Sequence, residues 1–190
     1  QFGFDYGIAN LAGQVSLDQA QCVLSLAKEN EIDLLDTAIA YGKSEEVLGK
    51  VGVDGFRVVT KLASLPDDQN NVAHWANEQV RESLARLGQK RLYGLLLHRS
   101  EDLSGSKGGQ LIRALADLKN DGVVQKIGVS IYSPDELEVV FNRIKIDLVQ
   151  APLNVVDRRL QSSGWLDLLK DDGVEIHTRS AFLQGLLLME

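Results

Sequence analysis

Six short apolar runs in this chain each end on a polar or charged side chain capable of chemistry. Asp33-Leu34-Leu35 leads to Asp36, with Tyr41 just beyond, and Val58-Val59-Thr60 leads to Lys61. Leu95-Leu96-Leu97 leads to His98, Ile127-Gly128-Val129 to Ser130, and Leu148-Val149 to Gln150. The run from Val174 to Thr178 leads to Arg179. Runs this short and this apolar suit strands buried on both faces.

Helical segments lie between the runs. Ser16 and Gln19 have the spacing of a capping box, and Leu17, Ala20, Leu24 and Ala27 follow at helical intervals. A short helix is predicted over residues 44–50. A longer one covers 71–87, with Val72, Trp75, Ala76, Val80, Leu84 and Leu87 on one face. Leu111, Ala114, Leu115 and Leu118 define another, which Gly122 is placed to stop. Between strand 92–98 and that helix lies a loop, 100–109, rich in Ser, Gly and Lys. Ser133-Pro134-Asp135-Glu136 predicts a helix start with Ser as cap, Pro at the first position and Glu returning a bond. A last helix is expected over 162–170, carrying Trp165, Leu168 and Leu169.

Repeated strand–helix units call for a parallel sheet with helices outside. An open doubly wound sheet would carry a Gly-rich turn after its first strand, and no G-x-G-x-x-G occurs. Chemistry at nearly every strand end favours a (β/α)₈ barrel, whose sites gather at the C-terminal ends of the strands. Such barrels take about 250 residues. With 190 residues, six clear strands and a stub at Gln1-Phe2-Gly3, the expectation is an incomplete barrel of six to seven strands. Residues 1–190 are expected to form a single domain that is partial at both ends, as a truncated fragment would be. Unclosed edges would favour self-association.

The formal net charge of -7 argues against nucleic acid or an anionic membrane as partner. No run approaches the roughly 20 apolar residues of a membrane span. Cys22 stands alone, so a reducing cytoplasm is the expected location. A packed side chain is its expected role. Glu45 and Glu46, near a helix start, are expected to do no more than favour the dipole. Gly42-Lys43-Ser44 resembles the end of a phosphate loop, but Thr37 stands where that loop needs Gly. A metal-dependent hydrolase barrel is a weaker rival. Asp36, His98 and His177 would have to converge, and no H-x-H or H-E-x-x-H spacing supports it.

Asp36, Tyr41, Lys61 and His98 form a credible proton-transfer group. A nearby ammonium would lower the pKa of the Tyr41 phenol, and Asp36 could hold Lys61 by an ion pair. Tyr41 would then act as general acid toward a developing alkoxide, with His98 orienting the carbonyl.

Asp36-Thr37-Ala38-Ile39-Ala40-Tyr41-Gly42 resembles the D-[ST]-A-x-x-Y-G motif of the aldo-keto reductases. The Lys and His that the family places on its next two strands have counterparts in Lys61 and His98. Lys126 to Ser130 and Leu148 to Asn154 resemble the two strands after that, and Phe2 to Gly7 resembles the end of the family's first strand and its loop. The resemblance implies a (β/α)₈ barrel using NADPH, less often NADH, to reduce an aldehyde, ketone or sugar carbonyl. It puts Asp36, Tyr41, Lys61 and His98 on the catalytic tetrad. Ser130 and Gln150 fall on positions that bind the nicotinamide carboxamide, and Arg179 falls near the position that packs against the ring. No metal is implied. Ile131 replaces an Asn that many relatives carry, removing one cofactor contact. The family's eighth strand and following helix, which hold the adenosine end, have no counterpart, so cofactor binding is expected to be impaired. A catalytically weak or inactive remnant, kept as a binding or assembly module, is the alternative.

Overall fold

The computed structural model describes residues 2–8 and 10–189. Helix α1 (Leu17–Glu29) leads into β1 (Leu34–Asp36), α2 (Ser44–Val51), β2 (Arg57–Leu62), α3 (Val72–Leu87) and β3 (Leu92–Leu97). A 3₁₀ turn (Ser100–Leu103) precedes α4 (Gly108–Asn120), β4 (Val124–Ser130), α5 (Glu136–Phe141) and β5 (Leu148–Pro152). Then come α6 (Arg159–Ser162), α7 (Trp165–Asp171), β6 (Glu175–Arg179) and a kinked 3₁₀ segment (Leu183–Leu188).

The strands form one parallel sheet in chain order, β1 to β6. The sheet is curled. The Gln150 amide on β5 donates to Asp36 on β1 at 2.7 Å. Four strand spacings of about 4.8 Å would hold these residues about 19 Å apart in a flat sheet. The expected incomplete barrel is therefore what the chain builds. Its first-strand stub is not: Phe2 and Gly3 are not in a strand, and Gln1 lies outside the described residues.

Local chemistry sets the element boundaries. At the start of α1 the Ser16 hydroxyl accepts the Gln19 N–H at 3.2 Å, and the Gln19 side chain accepts the Ser16 N–H at 2.9 Å. Asn71 caps α3 by accepting the His74 N–H, and Gly88 ends it in the left-handed region at φ 66°. The expected helix over 162–170 is instead two. Gly164, at φ 83°, breaks it between α6 and α7. At α5, Glu136 does reach back to the Ser133 N–H at 2.8 Å. The Ser133 hydroxyl turns to Asp135 instead of capping, so the helix begins only at Glu136.

Alternation along the strands separates two cores. Val58, Leu62, Leu95, Leu97, Ile127, Val129, Val149 and Ala151 face the helices and join one large cluster. Val59, Leu96 and Leu148 point to the concave side, with Leu34 and Tyr93 against them. This small plug lies between two polar layers. The one above is the candidate site. The one below gathers at the strand starts around Glu175, which accepts the Tyr93 hydroxyl at 2.7 Å, meets His177 at 2.7 Å and pairs with Lys126. His177 is thereby hydrogen-bonded within its strand, although its Nδ1 is buried without a protein partner.

Two sequence expectations fail on packing grounds. Cys22 is exposed, not packed. Glu45 is buried, and it accepts the Thr60 hydroxyl at 2.7 Å, the Ser83 hydroxyl at 2.6 Å and Arg86 Nε at 2.8 Å. It ties α2, β2 and α3 together, a role beyond the helix dipole.

Replacing Glu45 with Ala strands two hydroxyls and a guanidinium. Urea denaturation should show a loss of about 3 kcal/mol, the cost of breaking a buried ion pair from one side. A second test concerns Glu175. Burial works to raise its pKa, but the bonds from Lys126, Tyr93 and His177 and the Lys126 charge prevail, lowering it from 4.5 to about 2. A depressed carboxyl stabilises the fold fully above pH 4.5 and loses that contribution as pH falls toward 2. The stability gap between wild type and Glu175→Gln should therefore close over that window in urea titrations. A constant gap would mean that the carboxylate's charge is not what stabilises.

Candidate active site

The mouth of the curled sheet is built on Lys61, the last residue but one of β2. It is fully buried, with Nζ 2.8 Å from both Asp36 oxygens and 2.8 Å from the Thr37 carbonyl. All three ammonium protons thus have acceptors. The Asp36 carboxylate also takes the Gln150 amide, whose oxygen accepts the Ser130 hydroxyl at 3.2 Å. A continuous polar chain runs Ser130–Gln150–Asp36–Lys61 across four strands. The spacing of the apolar runs placed these residues at strand ends, but only the curl lets β5 touch β1.

Tyr41 sits on the turn between β1 and α2. Its backbone is held from below by the N-terminal segment. A Cβ on Gly3 would lie 1.6 Å from the Tyr41 carbonyl oxygen, so only glycine allows this approach. Gly42 adopts φ +56°, and a side chain there would also strike Phe4. Phe2-Gly3-Phe4 is therefore a brace for the Tyr41 turn. The Thr37 hydroxyl, bonded to Ser44 at 3.0 Å, closes the turn from the other side.

The Tyr41 ring lies against Lys61, whose Nζ is 4.8 Å from the ring centroid, and meets the His98 ring edge-to-face at 5.7 Å. Among the described residues no protein group bonds the Tyr41 hydroxyl. Asp36, Tyr41, Lys61 and His98 are thus brought together as the sequence anticipated. The expected electrostatics are not. Burial, followed by the Asp36 charge, pushes the Tyr41 phenol up from 10.0 to about 12, and Arg179 opposes only in part. The expected lowering by Lys61 is not seen, because burial and the Asp36 charge prevail. Burial also pushes Lys61 down, against the pull of Asp36. His98 is lowered from 6.5 by burial, then by the Lys61 charge, so its imidazole is neutral at pH 7.

Ser130 and Gln150 lie on the buried floor, each 4% exposed. Arg179 ends β6 with Nη2 donating to the Ile131 carbonyl at 2.9 Å and its guanidinium 4.3 Å from the Tyr132 ring centroid. Ile131 itself is buried, so its side chain serves the core and its carbonyl serves the mouth. Sequence reasoning missed Tyr132, and it found Glu136 only as a capping residue. Glu136 accepts the N–H groups of Tyr132 and Ser133 at 2.8 Å and is bonded by the Ser100 hydroxyl. The β4–α5 loop is thereby tied to the β3–α4 loop. Ser64, His98, Tyr132 and Glu136 line a cleft of about 380 Å³ beside these residues. Among the described residues no group of three or more His, Cys, Asp or Glu is placed to hold a metal ion, and no helix is long and apolar enough to cross a membrane.

A parallel curled sheet with its polar side chains gathered at the C-terminal strand ends is the architecture of (β/α)₈-barrel enzymes. The sequence model of the aldo/keto reductase family matches residues 5–190, and the chain belongs to that family, a family of oxidoreductases. It is 26% identical over 96% of its length to the uncharacterized oxidoreductase YqkF of Bacillus subtilis, covering 62% of that protein. To the aldo-keto reductase YhdN of the same organism it is 26% identical over 85% of its length, covering 51% of the relative. The chain thus spans between half and two thirds of these relatives. Its fold resembles the aldo-keto reductase PA4992, described as putative, of Pseudomonas aeruginosa, with TM-score 0.79 and 24% identity over 97% of this chain and 72% of that one. It also resembles the holo form of AKR11C1 from Bacillus halodurans, with TM-score 0.78 and 22% identity over 98% and 69%.

The electrostatics of Tyr41 can be checked directly. Alkaline difference titration of wild type against Tyr41→Phe should place the Tyr41 ionisation near pH 12. An ionisation below 10 would restore the view that Lys61 sets this pKa.

Proposed function

We propose that residues 1–190 act as one catalytic unit, an NADPH-dependent carbonyl reductase in which Tyr41 supplies the proton. The observation that carries this reading is a phenol that is protonated, unbonded and backed by a buried ammonium. A hydroxyl kept neutral until an oxyanion forms beside it is a suitable general acid. Lys61, held by Asp36 and the Thr37 carbonyl, packs 4.8 Å from the ring centroid and fixes where the phenol stands. His98, neutral at pH 7, is available to donate an N–H to the substrate oxygen.

The floor of the mouth fits the nicotinamide end of a cofactor. A carboxamide needs one donor and one acceptor. Gln150 keeps an N–H and a lone pair beyond its bonds to Asp36 and Ser130. Arg179, close enough for its charge to act on Tyr41, Lys61 and His98, would border the ring. A reduced nicotinamide bound there supplies the hydride. The chain's own part is to orient the carbonyl between Tyr41 and His98 and to deliver the proton. NADPH is favoured over NADH on family resemblance alone, and a small aldehyde, ketone or sugar carbonyl is the substrate class. Nothing in the site calls for nucleic acid or a membrane, and a cytoplasmic setting suits a free, exposed Cys22.

One observation favours the rival reading of a binding remnant: β1 and β6 each pair with a single neighbour among the described residues. Free edges invite self-association. NADPH fluorescence titration separates the two. Micromolar binding supports the reductase, and absence of binding at millimolar NADPH overturns it for this chain. With an aldehyde substrate, Tyr41→Phe should lower turnover about 100-fold or more, the scale of a general acid, while NADPH affinity stays within about threefold. Full activity in that variant would remove Tyr41 from the role.

A further inference from the structure

Charge is not balanced at the mouth. Lys61 is neutralised by Asp36, Arg159 by Asp157 at 2.8 Å, and Arg99 by Glu101 at 3.8 Å. Arg179 has no carboxylate within 4.0 Å among the described residues. Its flat face rests on Tyr132, and one N–H of Nη2 goes to the Ile131 carbonyl. Nη1 has only the Ser180 hydroxyl at 3.5 Å, and Nε is buried with no partner. The guanidinium is therefore oriented by its face and one corner, with Nε closed off by burial and N–H groups of Nη1 and Nη2 left to form a fork.

The surrounding carboxylates do not answer this charge. Asp157 feels Arg179, but both its oxygens are engaged by Arg159. Glu136 accepts the N–H groups of Tyr132 and Ser133 and the Ser100 hydroxyl, and it forms no ion pair with Arg179. Glu101 lies with Arg99 at the outer wall of the cleft. An oriented guanidinium with a free fork is suited to an oxyanion, which it binds through paired, charge-assisted hydrogen bonds.

We propose that Arg179 binds an anionic group of the substrate, so that the carbonyl compound reduced here carries a carboxylate or a phosphate. The reductase part of this statement rests on the function proposed above. The anion site itself does not, since it follows from the unbalanced guanidinium. Arg179 stacks on Tyr132, which lines the same cleft as His98, and the His98 ring meets Tyr41, so a substrate bound by its anion to Arg179 would lay its carbonyl toward Tyr41 and His98.

Calorimetric titration with carbonyl-free probes tests the anion site without requiring turnover. Benzoate and phenyl phosphate represent the two anions, and anisole, which lacks both charge and carboxamide, is the neutral control. Wild type should bind at least one anion about tenfold more tightly than anisole, the scale of a hydrogen bond to a charged group. The tighter of the two identifies carboxylate or phosphate. The preference should fade at high salt and fall to within about threefold in Arg179→Met, with Arg179→Lys restoring part of it. Equal binding of the anions and anisole by wild type overturns the proposal, as does a preference that survives Arg179→Met. Repeating the titration with NADPH bound adds one further outcome. If NADPH abolishes the preference, the cofactor's own phosphates are the anion and the substrate assignment falls. Anion preference without NADPH binding would instead retain the site and remove the reductase reading.

Discussion

The Asp36 carboxylate is the point on which the rest of the structure depends. It receives Lys61 from the neighbouring strand and Gln150 from four strands away. The first contact makes it possible to bury an ammonium that would otherwise be costly to desolvate. The second is possible only if the sheet curls. One side chain therefore couples the curvature of the fold to the protonation chemistry of its mouth. Neither contact is a surface ion pair of small consequence. Lys61 is buried, and the Thr37 carbonyl completes its coordination.

Below this tie the concave side is filled by a thin apolar plug, and below that by a second polar layer around Glu175. The order is polar, apolar, polar from mouth to base. Tyr93 and Lys126 reach Glu175 across the interior as Gln150 reaches Asp36 at the mouth, so the sheet is drawn together at both ends of its strands. Outside, Glu45 plays the corresponding part among the helices, fixing α2 and α3 to β2 one residue from Lys61. The apolar plug gives the sheet its filling, and the polar ties select which curvature it takes.

The mouth's electrostatics reverse a simple expectation. A lysine beside a tyrosine suggests a phenol primed to ionise. Here the ammonium is spoken for by Asp36, and burial together with that same carboxylate keeps the phenol protonated. Such a group yields its proton only when a stronger base forms against it, which suits an acid and does not suit a base. Arg179 has no carboxylate partner among the described residues, and its charge opposes the rise in Tyr41. The surplus positive charge belongs to β6 and not to the lysine at the centre.

Much of this was legible in the sequence. Apolar runs of strand length, helical periodicity between them and a polar residue at each run's end gave six strands, their order and the side chains at the mouth. Those signals are local, since alternation and capping act over a few residues. Other features were not legible because they depend on distant chain segments meeting. Glu45 looked like a helix-dipole residue until Thr60, Ser83 and Arg86 arrived from elsewhere. Cys22 looked packed because a helical position does not say which face is covered. Tyr132 carried no motif, and Glu136 showed only its capping role, since its bond from Ser100 exists only where two loops touch. The sequence by itself determined which residues stand at the strand ends and which chemistry they can offer. The tertiary structure alone decided which charges are paired, which protons are held and which guanidinium stays free, because burial and curvature set those energies across the whole sheet.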